Sequence, residues 1–457
     1  MSARMFLKQT ISRCPVCLQP CPGEVWKSEG TPAQVFLSRQ CAAHGEHTAR
    51  IASDARYYWL AHGQPENACC GGGAGGGSCC SADGSSRGTL GRNAVAPGGG
   101  LFEQLSTCLA LIEIVQSCNL TCPTCFADAP LGDRAQVQAV PLADLQRRIE
   151  GVIARKGGIE ILQLSGGEPT LHPDLFTLLE WAQQHPRIDY VLINTNGLRV
   201  ARDPAFAEQL AVAAQRKGLQ LYLQFDGPQR EGQQSLRGAD LRRVREEALA
   251  VCARIGLPVT LAMTVTPENL PFVWESVRFG LDRRIVHGIT FQPLFQSGRF
   301  PATEGGVAQR LNAADLLTAL MDQSGGLLRP RDVTPLPCGD PNCAIIGYLI
   351  RRPEGFQSIG DFVDFSRLQG FLHDKINYDL ADLARCGCEV EPLGALLKQL
   401  EVGPEDAFRI MIKPFMDAWT WDQDRIDRCC THVIRPDGKL DSFCRYYAGF
   451  PAARAST

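Results

Sequence analysis

The sequence predicts an α/β protein built on a parallel, partly closed sheet of six β/α units. Short apolar segments that read as strands recur within the core, at 109–115, 159–164, 190–194, 219–224, 258–263 and 288–292. Stretches with apolar residues at helical spacing separate most of them, as in 143–156. This alternation favours a parallel sheet, and open parallel sheets bind ligands beyond the carboxyl ends of their strands.

Composition narrows the class of protein. With 457 residues, 44% of them hydrophobic, the chain is long enough for about three domains. A net charge of −3 argues against a nucleic-acid-binding surface. The first residues lack the apolar core of an export signal, and no run of about 18 apolar residues predicts a membrane span. The 20 cysteines cluster at metal-ligand spacing, so we expect a cytoplasmic protein with several metal centres, with peripheral membrane contact left open.

The N-terminal unit, residues 1–60, is predicted to be a metal-binding knuckle. Its four candidate ligands form two C-x2-C/H pairs, and they are Cys14, Cys17, Cys41 and His44. Two such pairs across a small hairpin bind zinc or a single iron, as in a rubredoxin-like site. Cys21 is a spare or alternative ligand. The alternative interpretation is a cysteine-rich arm without metal.

Residues 61–105 are predicted to be a linker, because glycine occupies twelve of the thirty positions 71–100. Such a stretch buries too little apolar surface to order itself. It holds vicinal cysteine pairs at 69–70 and 79–80, and Cys108 follows just before the first core strand. Close-spaced thiols on such a loop could wrap an auxiliary cluster that orders it. The alternative is a linker with incidental cysteines.

The core, residues 106–330, opens with three cysteines on the loop that leaves its first strand. Cys118, Cys122 and Cys125 have the spacing C-x3-C-x2-C. Three thiolates on one loop fit three corners of a [4Fe–4S] cluster and leave one iron open to bind and reduce a small molecule. Taken alone, the spacing also fits a zinc loop or a structural cluster.

Polar residues at the ends of later strands fit a ligand site. Gly166, Gly167 and Glu168 follow the second strand, where glycine lets a ligand approach the backbone and a carboxylate can pair with an ammonium group. Three further candidates end the third and fourth strands, and they are Asn196, Gln224 and Asp226. Thr264 and Gln292 are weaker candidates on the next two. The alternative interpretation is that these side chains cap helices and turns.

The third region, residues 331–457, is predicted to be a cysteine-rich auxiliary-cluster domain. Its cysteines predict one further [4Fe–4S] cluster, and they are Cys338, Cys343, Cys386, Cys388, Cys429, Cys430 and Cys444. The first two belong either to this cluster or to the one in the glycine-rich linker. Residues 407–421 are unusually apolar and aromatic, which favours a place in the core over a substrate pocket.

The cysteine spacing and the Gly-Gly-Glu motif together resemble the radical S-adenosylmethionine (SAM) superfamily. In that family the open iron chelates SAM, and the Gly-Gly-Glu motif binds its amino group. One electron from the cluster cleaves SAM to methionine and a 5′-deoxyadenosyl radical, which abstracts hydrogen. The resemblance implies that the three core cysteines ligate the cluster and that Glu168 meets the SAM ammonium group.

The layout resembles more closely the archaeal tetraether lipid synthase group and its bacterial relatives, formerly interpreted as pterin methylases. The shared segments cover nearly the whole chain, at 14–44, 107–127, 223–227, 291–293 and 415–444. This resemblance implies a rubredoxin-like N-terminal site and auxiliary clusters besides the SAM cluster. In one departure, the glycine-rich linker replaces the family's C-P-x-x-C-G-x-C-x-x-H run, so the ligands of the first auxiliary cluster are not assigned by resemblance.

We therefore expect a radical SAM enzyme that functionalises an unactivated C–H bond, in a lipid chain if the closer resemblance holds. A methylase or maturase acting on a pterin or a peptide is the alternative within enzymes. A multi-cluster electron-transfer protein gives no reason for the Gly-Gly-Glu motif, and a zinc-dependent nucleic-acid binder conflicts with the charge balance. The expected partners are a small-molecule or lipid substrate and an electron donor such as flavodoxin or ferredoxin.

Overall fold

The computed structural model describes residues 4–60, 107–132, 137–216, 218–300, 310–336, 339–362 and 404–448. These residues form a mixed α/β fold with one sheet of four strands and one of twelve. The strands of the small sheet are β1 (Arg4–Arg13), β2 (Pro20–Ser28), β3 (Val35–Cys41) and β4 (Gly45–Ala52).

The first strands of the large sheet are β5 (Leu109–Val115), β6 (Ile159–Gly166), β7 (Ile188–Thr195), β8 (Leu219–Gln224), β9 (Val259–Val265) and β10 (Val286–Pro293). Its remaining strands are β11 (Val333–Pro335), β12 (Ile345–Arg352), β13 (Gly355–Ser358), β14 (Ala407–Ile412), β15 (Thr431–Ile434) and β16 (Leu440–Ser442). The helices are α1 (Leu142–Lys156), α2 (Leu175–Gln184), α3 (Leu198–Arg202), α4 (Pro204–Ala214), α5 (Gln233–Arg237), α6 (Arg242–Ile255), α7 (Val273–Leu281), α8 (Ala313–Gln323), α9 (Gln423–Asp427) and α10 (Phe443–Tyr447).

The small sheet is an antiparallel meander, β1–β2–β3–β4, that packs against the C-terminal region. Buried Arg39 of β3 donates from Nη1 to the carbonyl oxygen of Ala418 at 2.8 Å and from Nη2 to that of Trp419 at 2.6 Å. The Lys8 ammonium lies 2.6 Å from the Asp422 carboxylate. A buried guanidinium needs such acceptors, so these contacts fix the unit against the rest of the protein.

The six strands predicted for the core all form, and β5 to β10 pair in parallel and in chain order. Helix α1 shows how the sequence produces the intervening layer: Leu145, Ile149 and Val152 are buried on one face. The helix ends where Gly157 adopts φ +82°, a left-handed conformation that glycine allows and that caps helices.

Strands from the C-terminal region extend this sheet at both edges. β14 pairs in parallel with β10, and β15 pairs in parallel with β5. Lys413 Nζ, just after β14, donates to Thr431 Oγ1 of β15 at 2.7 Å. The sheet therefore curls far enough to bring its two added edges together. The described C-terminal residues are therefore continuous with the core sheet, and a domain boundary near residue 330 stays a prediction.

The described helices include none that is both long and apolar enough to span a bilayer.

Candidate active site and metal centres

The four predicted ligands of the N-terminal knuckle converge. The donor atoms of Cys14, Cys17, Cys41 and His44 all lie within 4.8 Å of one another. Cys14 Sγ is 3.6 Å from His44 Nδ1, and Cys17 Sγ is 3.8 Å from Cys41 Sγ. Three sulfurs and one imidazole nitrogen form a closed donor set for one zinc or iron ion. The residues present therefore fit a single metal.

The hairpin turns of the small sheet bring these ligands together. Burial alone would raise the pKa of the Cys14 thiol. Hydrogen bonds from the backbone N–H groups of Cys17 and Val16 outweigh the effect of burial and lower the pKa to about 6. A thiolate at neutral pH is the form that binds metal. Cys21 is buried in the same small cluster but is not one of the four converging ligands.

We expect Cys14→Ser or Cys41→Ser to release about one metal equivalent per chain, because each removes a ligand from a four-donor site. Cys21→Ser, the matched control, should keep the metal. Metal analysis together with proteolysis of residues 1–60 would measure both effects. Iron loss from the three core cysteines in the same variants would contradict this assignment, because it would mean that the two centres depend on each other.

The three core cysteines lie on the loop of residues 116–132, which we call the cluster loop. They line an open cavity of about 910 Å³ beyond the strand ends, which we call the strand-end cavity. Cys118, Cys122 and Cys125 all line this cavity, so the cluster loop presents three thiols to it, the number that would hold three corners of a [4Fe–4S] cluster.

Burial and the nearby Glu168 carboxylate raise the pKa of Cys118 to about 12. The protein alone therefore keeps this thiol protonated. Deprotonation on metal binding couples cluster loading to the release of a proton.

Arg299 anchors the cluster loop, and no motif in the sequence indicates this role. Its Nη1 donates to the Cys122 carbonyl oxygen at 3.0 Å and its Nη2 to that of Ala129 at 2.7 Å. Its backbone pairs with Cys125 in both directions at 2.9 Å. The neighbouring Gly298 has φ +58°, and a Cβ there would lie 2.3 Å from the Cys125 carbonyl oxygen. Nothing in the spacing links a residue so far downstream to the cysteines.

The two glycines of the Gly-Gly-Glu motif are required by the close approach of the cluster loop. A Cβ on Gly166 would lie 2.0 Å from the Val115 carbonyl oxygen, and one on Gly167 would lie 2.1 Å from that of Ser117. The N–H of Gly167 donates to Val115 and the N–H of Glu168 to Ser117, at 2.8 and 2.9 Å. The motif is thus hydrogen-bonded to the residues just before Cys118.

The Glu168 side chain is 2% exposed, yet it lines the strand-end cavity. Its Oε1 accepts from Thr195 Oγ1 at 2.7 Å and from both the N–H and the hydroxyl of Thr170. Of the hydrogen bonds that the described residues make to Glu168, Oε2 accepts one, from the Asn196 N–H at 2.8 Å. Burial raises the pKa of Glu168. A carboxylate oxygen accepts about two hydrogen bonds, so Oε2 has capacity for a cationic donor in the cavity.

Asn196 and Gln224 also line the strand-end cavity. Asn196 Nδ2 donates to Asn119 Oδ1 at 2.6 Å and approaches Cys118 Sγ at 3.9 Å, so it contacts the cluster loop directly. Gln224 Nε2 donates to Asp226 Oδ1 at 2.7 Å. Both residues are therefore brought to the predicted site, while their role toward SAM stays a prediction. The two weaker candidates, Thr264 and Gln292, line the same cavity.

Asp226 lies behind the cavity wall in an ion pair with Arg237. The carboxylate is fully buried and accepts from Arg237 Nε at 2.6 Å and Nη2 at 3.0 Å. Burial alone would raise the pKa of Asp226, but Arg237 outweighs it, and the pKa lies below its ordinary value. Arg237 lines the cavity, and its positive charge acts to lower the pKa of the Cys122 thiol. It is a second site residue that sequence reasoning missed, because a lone arginine in a short helix carries no motif.

The C-terminal cysteines are brought together in part. Cys429 lies within electrostatic reach of Cys343, Cys430 and Cys444, and burial raises the pKa of Cys343 to about 11. The N–H of Cys108 donates to the Cys430 carbonyl oxygen at 3.0 Å. The other predicted ligands lie outside the described residues, and they are Cys338, Cys386 and Cys388.

The expectation that residues 407–421 belong to the core is confirmed only in part. Phe408, Ile410 and Ile412 are buried in the core. The alternate residues Arg409, Met411 and Lys413, together with Phe415, line a cavity inside the curled sheet. Successive residues of a strand face opposite sides of the sheet, so this one segment contributes side chains to the core on one face and to the cavity wall on the other.

Comparison with known proteins agrees with this site. The Radical SAM superfamily matches residues 112–279, and the HMPTM N-terminal zinc ribbon domain matches residues 6–53. The first match contains the cluster loop and the Gly-Gly-Glu motif. The second contains the four converging ligands of the knuckle.

Relatives extend the match beyond these segments. The chain is 25% identical to the 7,8-dihydro-6-hydroxymethylpterin dimethyltransferase of Methanocaldococcus jannaschii, over 96% of this chain and 93% of that protein. It is 29% identical to the GTP 3′,8-cyclase of Syntrophomonas wolfei, over 38% of this chain and 53% of that enzyme. Streptococcus suis SuiB bound to S-adenosylmethionine is similar at a TM-score of 0.37 and 18% identity, covering 48% of this chain and 47% of SuiB.

The radical SAM domain, the zinc ribbon and the enzymes among the relatives agree with one another. Such domains use a [4Fe–4S] cluster and SAM, and the cluster loop offers three thiols for that cluster. Residues 112–279 of this chain match the radical SAM superfamily, and the relatives of the chain are enzymes.

Proposed function

We propose that this protein is a cytoplasmic radical SAM enzyme that functionalises an unactivated C–H bond of an apolar substrate. The observation that carries the proposal is the junction of two cavities. The strand-end cavity is lined by the three core cysteines and Glu168. It shares Asn194, Gln224 and Gln292 with the cavity inside the curled sheet, which we call the inner cavity. A substrate in the inner cavity would therefore lie next to bound SAM.

In this proposal Cys118, Cys122 and Cys125 hold the [4Fe–4S] cluster, and Glu168 with Asn196 holds SAM. When bound, the cluster and SAM supply the one-electron chemistry that generates a hydrogen-abstracting radical. The protein's own residues bind, orient and exclude water. Glu168 lines the cavity and its Oε2 has capacity for one more donor, so an ammonium group there would stabilise the charged form of the carboxylate.

One of the remaining site residues, Asp226, acts through another side chain. Asp226 holds Arg237 by two hydrogen bonds, and the positive charge of Arg237 in turn favours the thiolate of Cys122. Asp226 is therefore a positioning residue in this proposal rather than a direct SAM contact. Gln224 lies between Asp226 and the cavity and is placed to meet SAM or the substrate.

We also propose that the C-terminal cysteines hold an auxiliary [4Fe–4S] cluster. Cys343, Cys429 and Cys444 are buried or half-buried and lie within electrostatic reach of one another, and the positive charge of Lys413 favours their thiolates. Lys413 also lines the inner cavity, so such a cluster would lie near the substrate. It would exchange electrons with an external donor such as flavodoxin or ferredoxin.

The lipid interpretation draws support from the walls of the inner cavity. Half of the twenty described residues that line it are apolar, and four of these are phenylalanines that contact one another: Phe126, Phe295, Phe415 and Phe443.

A pterin substrate is the second candidate, because the pterin dimethyltransferase relative aligns with 96% of this chain. A flat pterin would stack on the same phenylalanines and use the amide side chains of Gln163 and Asn194. Methyl transfer would then replace coupling or desaturation of a chain.

Anaerobic incubation with SAM, reductant and a cell lipid extract separates the two candidates by mass spectrometry. The lipid proposal expects new masses that correspond to loss of hydrogen pairs or to joined chains. An aqueous metabolite pool that stimulates release of 5′-deoxyadenosine while the lipids stay unchanged would overturn it. The matched control uses the same extract without SAM.

A further inference from the structure

Helix α6 carries a charged side chain, Arg245, on its buried face. Arg245 is 0% exposed, and it shares that face with Ala248, Leu249 and Cys252. Burial lowers the pKa of Arg245 to about 10, so the guanidinium still carries its charge at neutral pH. A buried charge is costly unless it is paired and hydrogen-bonded. An apolar side chain would pack the helix as well, so the contacts of the guanidinium explain its place better than packing does.

The guanidinium of Arg245 contacts the end of β7. Its Nη1 donates to the carbonyl oxygen of Asn196, whereas its Nε and Nη2 make no hydrogen bond to the described residues. The next residue, Gly197, has φ +77°, and a Cβ there would lie 3.3 Å from the Cβ of Ala248 on α6. The turn of residues 195–197 therefore lies directly against this helix, and the one described hydrogen bond of Arg245 is made to that turn.

The same turn supplies two of the donors to Glu168. The Asn196 N–H donates to Glu168 Oε2 at 2.8 Å, and the Thr195 hydroxyl donates to Oε1 at 2.7 Å. The N–H and the carbonyl oxygen of Asn196 belong to the two peptide units on either side of its Cα. Each unit is planar, so holding one of them limits how the other can turn. Arg245 is thus placed to set the direction in which the Asn196 N–H meets the carboxylate.

The charge of Arg245 also acts on the acidic side chains of the site. The carboxylates of Asp226 and Glu168 and the guanidinium of Arg237 all lie within its electrostatic reach. Asp226 is already paired with Arg237. The hydrogen bonds that the described residues donate to Glu168 come from hydroxyl and backbone N–H groups, which are neutral. The nearby positive charge of Arg245 therefore favours the charged form of Glu168.

We propose that Arg245 is a positioning residue for SAM, which holds Asn196, and through it the Glu168 carboxylate, in the arrangement that receives the SAM ammonium group. Arg245 is not among the described residues that line the strand-end cavity, so it acts through these two residues. This inference rests on the proposed function, since it takes Glu168 as the contact of the ammonium group.

A double-mutant cycle on SAM binding tests this inference. Anaerobic calorimetry would measure the SAM affinity of the iron-loaded enzyme for the wild type, Arg245→Met, Glu168→Gln and the double variant. We expect Glu168→Gln to weaken SAM binding by about 10- to 100-fold and Arg245→Met by about 10-fold, as for a charged hydrogen bond. Because Arg245 acts through Glu168, Arg245→Met should cause less than about a threefold further loss in a chain that already carries Glu168→Gln.

Further variants assign the effect to the guanidinium. Arg245→Lys keeps a positively charged donor and should retain most of the SAM affinity. Arg243→Gln, at a 90% exposed side chain of the same helix, is the control for general charge and should bind SAM as the wild type does. Arg245→Gln, which is neutral but still a donor, takes the place of Arg245→Met in the cycle if that variant does not fold. Iron content and circular dichroism of every variant are compared with the wild type.

Three results would overturn the inference: unchanged SAM affinity in Arg245→Met, losses that simply add in the double variant, or an Arg245→Lys variant as weak as Arg245→Met. Each would leave Arg245 a structural residue of α6. If Glu168→Gln weakens SAM binding while Arg245→Met does not, only this inference fails. If the wild type binds no SAM, or Glu168→Gln leaves its affinity unchanged, the proposed function fails at this contact.

Discussion

Replacing Cys118, Cys122 and Cys125 together with alanine is expected to reduce dithionite-driven cleavage of SAM to the uncatalysed background. The three sulfurs are the ligands that the cluster loop presents to the strand-end cavity. Their loss should remove about four irons per chain, the content of one [4Fe–4S] cluster. Release of 5′-deoxyadenosine, measured by chromatography, and iron and sulfide analysis of anaerobically purified protein report the two effects.

The matched control is Cys252→Ala. Cys252 is also a buried cysteine of the core, but it lies on α6 and does not line the cavity. It should keep both the iron and the cleavage. A triple alanine variant that still released 5′-deoxyadenosine would contradict the assignment of the cluster loop, because no other described cysteines line this cavity.

Asp226→Ala is expected to lower the free energy of unfolding by about 3–5 kcal/mol, because it leaves the Arg237 guanidinium buried without its partner. In the folded protein the side chains of Asp226 and Arg237 are 0% and 12% exposed. Urea unfolding followed by circular dichroism measures the change. The matched control is Asp240→Ala, which breaks the pair with Arg242, where both side chains are about 40% exposed. That surface pair should contribute less than about 1 kcal/mol.

The double variant Asp226→Ala with Arg237→Met separates the two roles available to Asp226. If the carboxylate only positions the arginine, removing both should recover part of the lost stability. An Asp226→Ala variant of unchanged stability that had lost SAM binding would instead identify Asp226 as a direct contact, as the strand-end position suggested.

The strands and the cluster loop could be predicted because their signals are local. Apolar runs specify β5 to β10. The spacing of Cys118, Cys122 and Cys125 is a property of eight consecutive residues. The glycines of the motif have a local signature too, although its cause, the approach of Val115 and Ser117, is visible only in three dimensions.

What could not be predicted depends on contacts between distant parts of the chain. Arg299 follows Cys122 by more than 170 residues and holds its carbonyl oxygen. The parallel pairing of β15 with β5 joins segments still farther apart. A short strand such as Thr431–Ile434 has no period long enough to indicate which partner it chooses. For the same reason the sequence did not indicate that Arg409 and Lys413 line the cavity inside the curled sheet, because the composition of their segment favoured the core.

The addition of C-terminal strands to both edges of the sheet has a consequence for synthesis. β5 ends at residue 115, and its outer neighbour β15 begins about 300 residues later. At about 5–20 residues per second, the ribosome needs roughly 15–60 s to deliver that neighbour. Throughout that time the outer edge of β5 lacks its native partner, and unpaired edges are sites of wrong pairing. Between synthesis of the first core strand and synthesis of the last edge strand, the nascent chain therefore carries an unpaired strand edge at which wrong pairing can occur.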